Sequence, residues 1–450
     1  MARDGTTARP ILQDLGDGLV LRRATREDAE ALATFNSEIH RWPVTSGPNP
    51  GMAVWTRDLL RGDHPTVEPG DFTVVEDTRR GAIVSTLCLI SQTWSYDGIP
   101  FGVGQPELVG THPDYRRRGL VRAQFAWIHR WSAERGQLVQ GITGIPWYYR
   151  QFGYEHGGLA LGGGRTGYLP HMPELKDGQP EPYRLRPAAE ADIPLLMELA
   201  ARQAARSLVA CMRDEALWRY ELTGRDEGSD EWHAWRIVET AAGEPVGMLG
   251  HPGRLWGKAL AARTYELRGG VSWLAVTPSV ARYLVATGRE YAARDGRECA
   301  GFSFMLGTEH PVYEAFADRL PRTVPPYAWY LRVPDLPRFL RRIAPALERR
   351  LAESPLAGHS GELKLSFYRD GLRLAFEAGR LAAVEPWQPS PADEGGAAFP
   401  GLTFLQLLFG YRALHELRYA FADCWVEDDE PGPLLVSLFP KRPSDVLHVA

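Results

Sequence analysis

Apolar and polar residues alternate with two different periods along this 450-residue chain, and each change of period marks an element. Leu19 to Arg23 reads as a strand, Thr25 as a helix N-cap with Asp28 three residues on, and Ala29 to Ile39 as a helix with apolar residues at three- and four-residue spacing. Strands are expected over Asp71 to Glu76 and Ala82 to Ser91, where Val84, Thr86, Cys88 and Ile90 alternate against Leu87 and Leu89. A short apolar strand from Glu107 then runs into an Arg/Gly-rich turn. Behind it Leu120, Ala123, Trp127 and Trp131 recur at helical spacing, Gly136 stops the helix, and Leu138 to Ile142 suggests another strand. The Pro- and Gly-rich loop around Trp42 to Gly51 offers Trp42 as a core residue or as a wall for a substrate.

The run Gly162-Gly163-Gly164 and the Pro-rich stretch to Pro182 read as a linker, after which the pattern starts again. LRPAAEADIPLL from Leu185 repeats the register of LRRATREDAEAL from Leu21, an offset of 164 residues. The same offset carries Tyr149 to Tyr313 and Phe152 to Phe316, so an internal duplication is expected. A third pattern begins with a helix from Leu336 to Glu353. It continues with alternating apolar residues either side of Asp370-Gly371, a hairpin signal, then a helical FLQLLFGYRALHEL and an expected strand, LLVSLFP.

The chemistry concentrates in ELVGTHPDYRRRGLVR. Arg116, Arg117, Arg118 and Arg122 crowd an expected helix N-terminus, where the macrodipole is already positive and cations are unfavourable unless an anion joins them. Gly119 lets the backbone pass close to that anion, and successive N–H groups from Arg117 to Arg122 would form a phosphate-binding concavity. A basic, solvated surface turn is the plain alternative. One strand further on comes PWYYRQFGYE, with Tyr149 in an aromatic turn; such a tyrosine is most often a core residue with its hydroxyl satisfied.

Together the two stretches resemble the GNAT superfamily of acyl-CoA-dependent N-acyltransferases. That family's signature is Arg/Gln-x-x-Gly-x-Gly/Ala after a strand, with a downstream tyrosine in an aromatic turn; here it stands as Arg116-x-x-Gly119-x-Val121 and Tyr149. HPDYRRRGLVR looks most like the Eis-type (enhanced intracellular survival) branch. The resemblance implies an α/β (α+β) chain of three parts: a catalytic GNAT domain over 1–165, a degenerate second GNAT-like domain over 166–335, and a sterol-carrier-protein-like α+β domain over 336–450. Offset by 164 residues, Arg116 and Gly119 fall on Val280 and Tyr283, so the second part lacks the turn.

The resemblance also implies acetyl-CoA as co-substrate and no metal. Its pyrophosphate would lie on Arg117, Arg118, Gly119, Leu120, Val121 and Arg122 with Arg116 adding charge, and its pantetheine arm would lie along Val109, Gly110 and Thr111, with Gly144 and Ile145 at the end of the next, splayed strand. Tyr149 matches the tyrosine that protonates the departing sulfur, and the chain's terminal carboxylate, on Ala450, matches the base of the Eis-type branch. Glu107 is the rival base, a water chain a further one, and His112, preceding Pro113, reads as structural. The acceptor would be a multi-amine small molecule, aminoglycoside-like, or a lysine, and the chain a homo-oligomer, with a hexamer the form to expect. A protein that senses acyl-CoA and holds an apolar ligand, without catalysis, is the alternative.

Composition narrows the surroundings. A formal net charge of -5 argues against a general nucleic-acid or membrane-surface binder. Cys88, Cys211, Cys299 and Cys424 are far apart, without metal-like or disulfide-like spacing, which favours a reduced compartment. With no apolar leader at the N-terminus and no long apolar run, a cytoplasmic protein is expected.

Overall fold

The computed structural model describes residues 11–41, 47–176, 178–427 and 430–449. Trp42 and Ala450 therefore lie outside the described residues. The chain opens with β1 (Ile11–Gly16), β2 (Leu19–Arg23), α1 (Ala29–Ile39), α2 (Pro50–Arg61), β3 (Phe72–Asp77), β4 (Ala82–Tyr96), β5 (Ile99–Thr111), α3 (Leu120–Glu134), β6 (Val139–Ile142) and β7 (Glu155–Leu161). Local chemistry sets these boundaries. Asn49 accepts the N–H groups of Gly51 and Met52 to start α2, with Pro50 at its first position, and Gly62 ends it in the left-handed region. Asp28 accepts the Thr25 N–H at 2.8 Å, which begins the turn into α1.

β1 to β6 lie side by side in one mixed sheet, antiparallel except where β5 meets β6. Helices α1 and α2 cover one face around Leu32, Trp55, Leu59, Phe72, Val74 and Ile90, and α3 covers the other around Leu87, Leu89, Phe125, Ile128 and Trp131. The apolar alternation in β4 is thus a strand buried on both faces, which explains why Val84, Leu87, Cys88, Leu89 and Ile90 are all nearly inaccessible.

Later parts of the chain complete this sheet. The strand Tyr327–Arg332 inserts between β6 and β7, and Val209–Met212 pairs with the far half of β4. The expected linker is not irregular throughout: Gly164–Tyr168 is a strand between Gly301–Phe304 and Arg322–Val324 in a separate four-stranded sheet. The three glycines concealed it, because two of them serve close packing. A Cβ on Gly164 or Gly167 would sit within 2.5 Å of the carbonyl oxygen of Phe304 or Arg319.

The register repeated 164 residues apart has a bonded counterpart. Arg22 donates to Glu76 at 2.7 Å through Nε and to both oxygens of Asp28 at 2.8 Å; Arg186 donates to Glu239 at 2.6 Å and to Asp192 at 2.6 and 2.8 Å in the same arrangement. Asp192 also takes the Ala189 N–H, as Asp28 takes that of Thr25.

In the last part, the helix Leu336–Ala352 and the hairpin strands Gly361–Ser366 and Gly371–Glu377 follow the pattern. LLVSLFP does not: Pro431–Leu438 is a helix. A short apolar run has no period to separate strand from helix, and here Pro431 at the first helical position and burial of Leu434, Leu435 and Leu438 favour the helix. This part shares one core with the first sheet, in which Trp94, Tyr96, Phe101 and Trp329 meet Phe339, Leu347, Phe404 and Phe409. Asp97, at the β4–β5 turn, takes Arg349, Arg350 and Arg442 from it.

Because Arg22–Asp28 is buried and Arg186–Asp192 is partly open, with arginine exposures of 3% and 38%, equivalent substitutions have unequal costs. Asp28→Ala should destabilise by about 3 kcal/mol, leaving a buried guanidinium short of a partner. Asp192→Ala should cost about 1 kcal/mol. Urea unfolding monitored by tryptophan fluorescence measures both, and equal costs would contradict the burial argument.

Candidate active site

The parallel contact between β5 and β6 is confined to Val103↔Val139 and Gly104↔Gln140. Beyond it the two strands diverge, and a bulge adds to the divergence. Thr86 pairs with Gly110 but Cys88 pairs with Glu107, so Leu108 and Val109 together face one residue of β4, and Leu108 takes a φ of 53°. The backbone of β5 past Gly104 is therefore unpaired by β6.

The β6 side of the gap is held from behind. The Tyr327 hydroxyl donates to the Gly144 carbonyl at 2.7 Å, the Tyr330 hydroxyl accepts the Trp147 N–H, and Trp147 itself takes a left-handed φ of 68°.

At the end of β5 the turn into α3 forms the expected concavity. Arg117 (φ 63°) and Gly119 (φ 76°) both lie in the left-handed region, two residues apart, which turns successive N–H groups to one side. A Cβ on Gly119 would touch nothing, so its conformation, not lack of space, calls for glycine. The N–H groups of residues 117 to 122 make no backbone hydrogen bond, the first bond of α3 being Ala123 to Gly119. Arg116, Arg117, Arg118 and Arg122 are exposed. Among the described residues none of them pairs with a carboxylate; Arg118 lies over the Tyr115 ring and Arg122 reaches Gln151 at 3.0 Å. Four unpaired cations at a positive helix end form a site for a polyanion.

One cleft of about 710 Å³ joins these pieces: Val109, Gly110 and Thr111 form one wall, Arg116 to Arg122 the floor, and Ile145 and Tyr149 the other wall. Gly144 stands behind, where a Cβ would lie 3.5 Å from the Tyr149 hydroxyl. Sequence reasoning missed Ile39, His40, Tyr115, Tyr148, Gln151 and Phe152 along the same cleft. Phe152 stacks on Phe125 at 4.3 Å, an aromatic spacing readable from YYRQF, whereas nothing in the sequence tied His40 to β5. His112 caps the turn after β5, accepting the Asp114 N–H at 3.3 Å.

Tyr149 is buried within a ring of Phe125, Tyr148, Tyr154 and Tyr330, and its hydroxyl has no hydrogen-bond partner among the described residues. Burial first, and the nearby Glu107 charge second, raise its pKa, so the phenol keeps its proton. Glu107 is pushed up to about 7, chiefly by desolvation and also by the Glu231 charge, against the N–H bonds from Gln105 and Leu108. Burial brings His40 down to about 4, so its ring is neutral. The cleft thus pairs a retained proton on Tyr149 with a carboxyl poised near neutrality.

The corresponding tyrosine of the repeat is different. The Tyr313 hydroxyl accepts the Leu306 N–H at 3.1 Å and lies 3.0 and 3.1 Å from the Phe304 and Gly307 carbonyls. Trp273 and His310 pack edge to face beside it, 5.0 Å apart, and His310 bonds the Tyr265 carbonyl. Val280 and Tyr283 lie inside the helix Trp273–Arg294, without a turn between them. A larger groove of about 990 Å³, between Thr308–Glu309, Phe409–Arg412 and Lys441–Ser444, has neither a ring of free N–H groups nor an unpartnered acid. Among the described residues no group of acidic, cysteine or histidine side chains could hold a metal, and no helix is long and apolar enough to cross a membrane.

Residues 21–157 match the family model described as an acetyltransferase (GNAT) domain. Among solved structures, a probable N-acyltransferase of Enterococcus faecalis, itself of unknown function, superposes with a TM-score of 0.63 at 13% identity, over 95% of this chain and 97% of that one. A GCN5-related N-acetyltransferase of Kribbella flavida gives a TM-score of 0.61 at 16% identity, over 96% and 98%. Eis1 of Mycobacterium abscessus gives 0.58 at 13%, over 94% and 98%. At these identities the likeness establishes the fold. No protein with a curated description matches the chain in sequence. The domain match marks the chain as an acetyltransferase with a mixed α/β fold.

A carboxylic acid whose pKa rises on folding stabilises the fold in its protonated form. That contribution is complete below about 4.5 and is lost as pH rises through about 7. Glu107→Gln should therefore gain on the native protein between pH 4.5 and pH 8 by an amount on the order of 2 kcal/mol. Parallel stability curves from urea unfolding across that range would contradict the raised pKa.

Proposed function

We propose that this chain is an acetyl-CoA-dependent N-acetyltransferase that moves an acetyl group directly from the thioester to an amine of a multi-amine small molecule, aminoglycoside-like, or of a lysine. The observation that carries the reading is the unpartnered Tyr149 hydroxyl in the same cleft as the ring of free N–H groups at Arg117–Arg122. The pyrophosphate would bind that ring with Arg116 beside it, and the pantetheine amides would bond the open backbone of Val109, Gly110 and Thr111, lying against Gly144 and Ile145. The amine, freed of its extra proton, attacks the thioester carbonyl, the C–S bond breaks, and Tyr149 gives its proton to the sulfur.

For the base, the environment of Glu107 favours its carboxylate, poised near the working pH. The Ala450 carboxylate is the second reading, favoured by the anchoring of its neighbour Val449, whose carbonyl accepts from Gln92 at 2.8 Å. A terminal amide in place of that carboxylate, made by ligation, separates the two. Activity survives if Glu107 is the base and collapses if Ala450 is.

We read residues 1–165 as the catalytic domain, 166–335 as its inactive duplicate, and 336–450 as a sterol-carrier-like domain. The three bonds on the Tyr313 hydroxyl support an inactive second copy. The non-catalytic sensor is disfavoured because a sensor has no use for a free acid beside the sulfur. A cytoplasmic homo-oligomer belongs to the same proposal, and the mass of the particle in solution tests that part.

Release of CoA thiol from acetyl-CoA, against aminoglycosides, polyamines and lysine peptides with enzyme-free blanks, tests the activity. Turnover with at least one class is expected, and silence with a protein that binds CoA would favour the sensor. Tyr149→Phe should lower kcat by about 10²-fold with CoA affinity unchanged, since only the proton donor is lost. Equal kcat in both proteins would remove Tyr149 from the chemistry.

A further inference from the structure

Two buried glutamine amides connect the last described residue of the chain to Glu107. Gln92 on β4 is 5% exposed and Gln105 on β5 is fully buried. Gln92 Nε2 donates to the Val449 carbonyl at 2.8 Å and to Gln105 Oε1, and Gln105 Nε2 donates to Glu107 Oε1 at 2.7 Å. Gln92 Oε1 accepts the Trp94 indole N–H at 2.9 Å, the Val449 N–H at 3.4 Å and the Cys211 thiol at 3.5 Å.

The direction of this relay is fixed by chemistry. An indole N–H can only donate, so the Gln92 atom facing Trp94 is the oxygen and its nitrogen faces the other way. That nitrogen needs an acceptor, which obliges Gln105 to present its own oxygen to Gln92 and its nitrogen to Glu107. The carboxylate therefore receives an N–H that it could not exchange for a lone pair without breaking the whole set.

The far end of the relay is equally anchored. The segment leading to Val449 is held by Leu208 N–H to the Pro443 carbonyl at 2.9 Å, Val209 N–H to the Ser444 hydroxyl at 3.1 Å, and Arg213 to the His448 carbonyl at 3.0 Å. The His448 ring rests on Trp329 at 5.3 Å.

We propose that Gln92 and Gln105 are positioning residues through which the docked C-terminal segment orients the Glu107 carboxylate and sets its proton affinity. The inference rests on the reading of Glu107 as the base and adds what tunes it. The other groups that act on Glu107 are Cys88 across the β4 pair, Tyr149 beyond β6, Glu231 ahead of the strand His233–Thr240, and the Leu108 N–H on its own strand. Glu231 in turn lies 4.0 Å from His448. Of these only the two N–H donors favour the charged carboxylate, so loss of the Gln105 amide raises the pH at which Glu107 gives up its proton.

The test compares the native chain with Gln105→Met, Gln92→Met, the double variant and Glu107→Gln. The pH dependence of kcat/KM for the amine is read at saturating acetyl-CoA, together with the infrared titration of the Glu107 carboxyl. We expect the ascending limb and the infrared midpoint to move up by about one pH unit in Gln105→Met and about half a unit in Gln92→Met. The double variant should match Gln105→Met alone because both act through one relay, and KM for acetyl-CoA should stay within about two-fold in all of them. An unmoved infrared midpoint in Gln105→Met, or additive shifts in the double variant, would overturn the relay. A limb that persists in Glu107→Gln would instead remove Glu107 as the base, while the infrared midpoints still judge the relay. Should the glutamine variants fail to fold, Trp94→Phe keeps the ring and removes the N–H that sets the direction; it should move the midpoint upward, and no movement there overturns the proposal.

Discussion

The divergence of β5 from β6 is the constraint on which the site depends. Parallel strands close up when their edges are free, and these two are joined by only two residue pairs before they separate. Two devices keep the gap open. On one side the bulge at Leu108 bends β5 toward α1 and α2, where Leu108 is buried. On the other, β6 is engaged along its far edge by Tyr327–Arg332, whose tyrosine hydroxyls also secure Gly144 and Trp147. A strand from more than 180 residues further along the chain thus holds open a cleft formed by the first 160. That makes the later parts of the chain structural partners of the chemistry even where they carry none.

The two related stretches of the chain use the same knot and part ways at the tyrosine. Arg22 with Asp28 and Glu76, and Arg186 with Asp192 and Glu239, tie strand to helix in the same manner. Tyr149 then meets an open cleft beside a ring of unbonded N–H groups, while Tyr313 spends its hydroxyl on the backbone around it. The difference is one of satisfied and unsatisfied hydrogen-bonding capacity. A free buried hydroxyl is costly unless a ligand comes to meet it, so Tyr149 makes sense only in a protein that binds something there.

Much of this was legible in the sequence wherever a residue's job is local. Gly119 and the arginines announce a helix start that wants an anion, Thr25 and Asp28 announce α1, and the aromatic run announces the turn of Tyr149. What escaped was decided by distant packing. LLVSLFP became a helix because prolines open it and its apolar residues are buried. The strand Gly164–Tyr168 was hidden in apparent linker because its glycines are set by backbone approach rather than by flexibility. His40, Gln92 and Gln105 carry no motif: each matters through a partner that only the fold brings near.

The central claim is that one cleft per chain, the first, binds the CoA pyrophosphate. Calorimetric titration of the full chain with CoA tests it directly, with Gly119→Val and Tyr313→Phe alongside. One CoA per chain is predicted, with affinity falling at least ten-fold in Gly119→Val, where a β-branched residue cannot hold the left-handed turn, and staying unchanged in Tyr313→Phe. Two CoA per chain, or full affinity in Gly119→Val, would contradict the account.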